Sequence, residues 1–217
     1  MHWETRMPPD KRFAGAKRYS VSKNHTKALD GDLFSLVGEP SSMLNRVFSQ
    51  LKNDVCADGL RSIGVYALLQ GQNIPDGLYY FDPTSDELVE LPAGGSAPSA
   101  SSGTLSPTKA KARRANIETL KGAFPPNEIM QAAGITLFFT GILDRIVWRY
   151  KEAAYRELQL DVGSYAGLVA ILARSLGGIA IPFSAFVDDE VAVALSLSPS
   201  EVPLAALCIM PKALKKY

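Results

Sequence analysis

Cysteine is nearly absent from this chain: Cys56 and Cys208 are the two in 217 residues. They stand in unrelated surroundings and form no CxxC pair, which excludes a disulfide framework and gives no basis for a zinc site or any other metal. Both read as small buried hydrophobes. A surplus of one charge is also missing, since 23 Lys and Arg stand against 22 Asp and Glu, a net charge of +1. No overall field then draws in nucleic acid or an anionic membrane, and neither is expected as a partner. Long apolar runs are absent too. None reaches the roughly 18 residues that a spanning helix requires, and Met1-His2-Trp3-Glu4-Thr5-Arg6 lacks the apolar stretch of a signal peptide. A soluble, cytoplasmic protein is the expectation. No internal repeat emerges, which sets aside a solenoid or propeller.

What is present is a chain 47% apolar and 21% charged, enough to bury one sizeable core. Residues 1–40 are polar and basic without sustained apolar period, and predict an irregular N-terminal arm. From Ser41 to about Asp54, Leu44, Val47, Phe48 and Leu51 fall at helical spacing behind a Ser41-Ser42 cap. Ser62–Leu69, Leu78–Phe81 and Glu87–Leu91, separated by Pro75-Asp76-Gly77 and Asp82-Pro83-Thr84-Ser85, predict a three-stranded antiparallel meander. Residues 92–110 hold a Ser/Gly/Pro-rich stretch too poor in apolar surface to offset the entropy of ordering it, a flexible insertion in a domain spanning 41–217. The basic run Lys109 to Arg114 suits the solvated start of a helix.

Ile135–Thr140 reads as a strand feeding a helix from Ile142, with Leu143, Ile146, Val147 and Tyr150 at helical spacing. A second helix is predicted from Val162 to about Leu176, where Gly177-Gly178 would stop it. Gly163, Ala166, Gly167, Ala170 and Ala173 would let it pack closely. Ile179–Phe183 reads as a buried strand, Asp188-Asp189-Glu190 as the acidic start of a short helix, and Val202–Met210 as a final strand.

Trp148-Arg149-Tyr150-Lys151-Glu152-Ala153-Ala154-Tyr155-Arg156, followed by Asp161-Val162-Gly163, resembles the W-K-Y-G-E-R-x-Y/F-R then D-x-G-H pattern of SagB-type dehydrogenases, within the nitroreductase-like superfamily. Gly77-Leu78-Tyr79-Tyr80-Phe81-Asp82-Pro83 resembles that family's G-x-Y-H-Y-D-P strand and turn. Ala185 to Asp189 and Glu201-Val202-Pro203-Leu204 are similar to its closing region. The opening His2 to Ala14 is weakly similar to its Y-H-x-x-T-K-H-x-P-x-R-F-A stretch. The resemblance implies an α+β sandwich with a central antiparallel sheet flanked by helices, two subunits joined through long helices, and FMN at their interface. It also implies an oxidoreductase that converts azolines in peptides to azoles, as a homodimer or paired with a paralogue.

Such chemistry needs flavin as hydride acceptor and a base near the substrate. The family's Lys-Tyr pair is here Arg149-Tyr150; arginine stays protonated, which leaves Tyr150 alone as proton acceptor. Against this stands a plainer reading, with Trp148, Tyr150 and Tyr155 as core or interface aromatics and Arg149 as a surface cation. The family's flavin loop is reduced to Arg61-Ser62-Ile63-Gly64-Val65-Tyr66, so Ser62 and Gly64 are the remaining candidates there. The family's His after D-x-G is Ser164, which would serve the cofactor or cap a helix. Arg6, Arg12 and Lys212 are candidate phosphate partners. Asp188 and Asp189 would either form an acid pair or complement a helix dipole. Three functions stay open: an FMN-dependent azoline dehydrogenase, a non-catalytic scaffold that has lost the flavin, and a nitro or quinone reductase, which needs no dedicated base.

Overall fold

Ile63–Leu69 and Ile135–Ile142 are apolar along their whole length, and every residue of both is buried, as strands covered on two faces must be. They pair with each other, Ile63 opposite Gly141 through Leu69 opposite Ile135. The computed structural model describes residues 17–20, 46–51, 62–72, 74–91, 116–125 and 127–211. Its strands are β1 (Arg18–Ser20), β2 (Ile63–Leu69), β3 (Gly77–Asp82), β4 (Glu87–Glu90), β5 (Ile135–Ile142), β6 (Gly178–Phe183) and β7 (Glu201–Pro211). They form one antiparallel sheet in the order β1-β4-β3-β2-β5-β7-β6.

Side-chain alternation splits the interior into two cores. Val65, Ala67 and Leu69 of β2, Leu137 and Phe139 of β5, and Leu207 and Ile209 of β7 face one side. There they meet α1 (46–51) through Val47, Phe48 and Leu51, and α5 (Ala154–Ser175) through Leu158, Val162, Val169 and Ala173. Tyr66, Leu68, Phe138, Ala206 and Cys208 face the other side. They meet α2 (116–122), α3 (Asn127–Ala132) and α6 (Asp188–Leu195) through Leu120, Met130, Val191 and Leu195. Ala154, Ala166, Ala170 and Ala173 lie buried along α5, so small residues bring this helix close onto the sheet.

The α+β sandwich and the meander match expectation. Three boundaries do not. Residues 18–20, inside the expected irregular arm, form a strand on β4, with Arg18 reaching Asp82 and Glu87. The helix expected from Val162 begins at Ala154, because Ala154 and Leu158 continue its buried face two turns upstream. The helix expected from Ile142 is broken into a 3-10 turn (Leu143–Arg145), α4 (Val147–Tyr150) and a second 3-10 turn (Lys151–Ala153). Cys208 is buried as expected, and burial pushes its thiol pKa up; Cys56 lies outside the described residues, as do the whole 92–110 stretch and the 109–114 run. Among the described residues no helix is long and apolar enough to cross a membrane.

Asp82 fastens the turn between β3 and β4. Its carboxylate accepts the Thr84 backbone N–H at 3.0 Å, the Ser85 hydroxyl at 3.0 Å and Arg18 Nη1 at 3.4 Å. Burial alone would raise its pKa, but these hydrogen bonds outweigh burial and hold it below the ordinary carboxylate value. A depressed folded pKa gives stabilisation that is present above the unfolded value and lost as pH falls through the folded one. The urea midpoint of Asp82→Asn should therefore lie below that of the parent at neutral pH. The gap should close below about pH 4, and a gap independent of pH would refute the role.

Candidate active site

Four segments carry the candidate residues, and β5 ties two of them together. At its end the Ile142 N–H donates to the Ser62 carbonyl at 2.7 Å, and the next N–H, of Leu143, donates to the Ser200 carbonyl at 2.9 Å. The chain then leaves the sheet through the 3-10 turn and α4, which presents Trp148, Arg149 and Tyr150. Trp148 is 63% exposed, yet its indole N–H is fixed to the Arg145 carbonyl at 2.9 Å. Tyr150 is half-buried against the α1/α5 core. The Arg149 guanidinium stands 5.4 Å from the centre of the Tyr150 ring, a cation–π arrangement.

Lys151 explains the broken helix. Its φ of 48° and ψ of −121° belong to a conformation that glycine adopts freely and a residue with a Cβ adopts at a cost on the order of 1–3 kcal/mol. Glycine occupies the matching place in the W-K-Y-G-E-R pattern. Arg149, Lys151 and Arg156 are all exposed around the start of α5, and among the described residues none is in an ion pair. These three cations flank the start of a 22-residue helix, with Glu152 and Glu157 between and after them.

The remaining candidates are dispersed. Ser164 sits in the interior of α5, exposed, with its hydroxyl donating to the Leu160 carbonyl at 2.9 Å; it is not a helix cap, since α5 starts ten residues earlier. Ser62 is buried at the head of β2. Gly64 lies against a polar cluster that sequence reasoning missed. Within it Glu201 Oε1 accepts the Thr140 hydroxyl at 2.6 Å and the Tyr66 phenol at 3.0 Å, all three side chains being buried. In the sequence Glu201 stood out only as the first residue of the Glu201-Val202-Pro203-Leu204 motif, just ahead of the expected final strand. A Cβ on Gly64 would come within 2.7 Å of Glu201 Oε1 and closer still to Thr140 Oγ1, so the glycine makes room for the cluster. Asp188 and Asp189 are exposed in the first turn of α6, where they complement its dipole. Arg6, Arg12 and Lys212 lie outside the described residues.

The nitroreductase family profile matches residues 91–210, more than half of the chain. The chain belongs to the nitroreductase family. Members of this family typically use a flavin. No curated protein matches the sequence. Among solved structures, a protein of Anabaena variabilis assigned as a nitroreductase is similar at a TM-score of 0.65 and 18% identity, over 96% of this chain and 42% of that one. A chain of the E. coli microcin synthetase McbBCD complex, with truncated pro-MccB17 bound, is similar at a TM-score of 0.52 and 16% identity, over 71% of this chain and 53% of that one. A protein of Staphylococcus epidermidis assigned as an NAD(P)H:FMN oxidoreductase follows at 0.50 and 11%, over 84% of each. This nitroreductase-family chain therefore spans less than half the length of the Anabaena protein and about half that of the microcin synthetase chain. At these identities the likenesses establish the fold.

Two substitutions check the local geometry. The strain at Lys151 exceeds the roughly 0.5–1 kcal/mol that glycine's added chain entropy costs, so Lys151→Gly should stabilise the protein by about 1 kcal/mol in urea unfolding; a loss of stability would contradict the strain. Gly64→Ala should cost about 1–3 kcal/mol by overpacking, and an unchanged unfolding midpoint would show that the cluster yields freely.

Proposed function

We propose that this chain is an FMN-dependent oxidoreductase that dehydrogenates an azoline-type heterocycle in a peptide or a related small substrate, acting in the cytoplasm as a dimer. The observation that carries the reading is the placement of Tyr150. A short helix anchored at the end of β5 half-buries its ring at the head of α5, with the Arg149 guanidinium over it. The order of the W-R-Y and D-V-G motifs supports the azoline reading, as does the fold shared with a peptide-bound microcin synthetase.

The flavin, when bound, supplies the hydride acceptor. Tyr150 Oη, as the phenolate, would take the proton released from the substrate ring and so become the neutral phenol. Arg149 cannot take a proton; it orients the phenol and presents a cation to negative charge developing on the substrate. The exposed cations Lys151 and Arg156 suit the cofactor phosphate, and the donor set at the start of α5 is chemically compatible with FMN. Ser62, Gly64 and Ser164, with Arg6, Arg12 and Lys212 from the chain ends, complete the proposed cofactor-holding set.

A second reading, a scaffold subunit without flavin, is favoured by the Ser164 hydroxyl, which is turned back onto its own helix. A nitro or quinone reductase is the third, since it dispenses with the base that Arg149 cannot be.

The visible spectrum of the purified protein, before and after addition of FMN, separates these readings. A flavin band that persists through gel filtration is expected; a protein that stays colourless would overturn the flavin reading and favour the scaffold. With flavin bound, Tyr150→Phe should lower oxidation of a thiazoline-bearing peptide about 10²–10⁴-fold, the usual worth of a positioned base, while quinone reduction is spared. Equal loss of both would remove Tyr150 from the role of base.

A further inference from the structure

Ile146, 1% exposed, and Ala154, 2% exposed, pin the chain at either end of a segment, 147–153, in which no residue is buried. Its hydrogen bonds are local. The Arg149 and Tyr150 N–H groups both donate to the Ile146 carbonyl at 3.0 Å, the Trp148 indole to the Arg145 carbonyl, the Lys151 N–H to Val147 and the Ala154 N–H to Lys151. Each of these bonds spans three or four residues, so none of them ties the segment to the sheet. What seats it is the half-buried ring of Tyr150 against the α1/α5 core.

Against that small attachment stands Lys151, at φ 48° and ψ −121°. Its neighbours are already helical: Tyr150, Ala153 and Ala154 all lie in the right-handed region. The fixed ends impose the unfavourable backbone on Lys151 only while the ring is seated. Strain of this size corresponds to a factor of about 5–150 in an equilibrium constant, and a segment with so few buried contacts belongs to the low-stability end of a fold.

We propose that 147–153 is a strap with two states. In the docked state, described above, Tyr150 is seated and Lys151 strained. In the undocked state Lys151 returns to the right-handed region, α5 lengthens upstream through 151–153, α4 unwinds and Tyr150 leaves its seat. Lys151 is then a positioning residue that acts through Tyr150, setting the fraction of molecules in which the phenol is in place. A ligand that touches Tyr150 only in the docked state draws the strap shut.

The inference rests on the Tyr150 reading for its meaning in catalysis, but its test needs neither flavin nor substrate. Hydrogen exchange of the full chain is followed amide by amide by NMR. The Arg149 and Tyr150 amides should exchange faster than those of Leu158 and Val162, at rates unchanged by low urea, because undocking uncovers little surface. Lys151→Gly should slow them about 5-fold, the relief of strain less glycine's own added freedom. Lys151→Ala removes the same charge but keeps the Cβ, and should exchange at the parent's rate. Exchange of Arg149 and Tyr150 only through the urea-dependent opening shared with Leu158, or equal rates in the glycine and alanine variants, overturns the proposal. Slower exchange in Lys151→Gly together with equal loss of azoline and quinone activity in Tyr150→Phe leaves the strap standing and removes the base. Equal exchange in the two Lys151 variants with selective loss in Tyr150→Phe does the reverse.

Discussion

Burial of β5 on both faces is the constraint on which the remaining structure depends. Each of its eight residues is shielded, and its two sets of side chains enter different cores. Phe139 belongs to the side covered by α1 and α5, Phe138 to the side covered by α2, α3 and α6. A strand enclosed in this way cannot slip by one residue without exchanging the two sets. That register in turn determines where the chain leaves the sheet at Ile142, and so where α4 and the head of α5 begin.

One irregularity is built into the strand pair beside it. Between Phe139 and Thr140 the register with β7 shifts, with Thr140 opposite Pro203 and Phe139 opposite Ala205. A proline cannot donate to a regular ladder, and the bulge admits it by leaving Leu204 between the two pairs. Upstream of the bulge β7 carries Glu201 into the sheet, where Thr140 and Tyr66 bind its carboxylate and Gly64 leaves it space. Buried polar groups of this kind are tolerated only when hydrogen-bonded. The cluster therefore couples the first residue of β7 to the end of β5 and the start of β2, all at the sheet end from which the candidate active site projects.

The candidate site combines tight placement with departures from the W-K-Y-G-E-R pattern that it resembles. Tyr150 is held by packing and Trp148 by its indole hydrogen bond, whereas Lys151 occupies glycine geometry. Strain of this sort persists only where surrounding packing determines the backbone; here Ile146 on one side and Ala154 and Leu158 on the other are buried. In the proposed function the acid–base role is given to Tyr150, because Arg149 cannot accept a proton.

Much of this was legible in the residues. Apolar runs marked β2 and β5 as strands, Pro75-Asp76-Gly77 and Asp82-Pro83 placed the turns of the meander, and the W-R-Y and D-V-G motifs led to the family, because each is a local pattern set by local sterics or by side-chain chemistry; the apolar run Ile179–Phe183, expected to be buried, instead lies in the partly exposed edge strand β6. The break at Lys151 was not legible, since a lysine in a helical pattern argues for continuation and only packing on both sides can impose a positive φ. Nor was the Thr140–Glu201–Tyr66 cluster, whose members are separated by 61 and 135 positions along the chain and meet only when the strands pair. Sequence determined which segments are strands and helices and which chemistry they carry; tertiary packing decided where α5 begins, which of its faces is left open and which polar groups share the interior, because those depend on contacts between residues far apart in the chain.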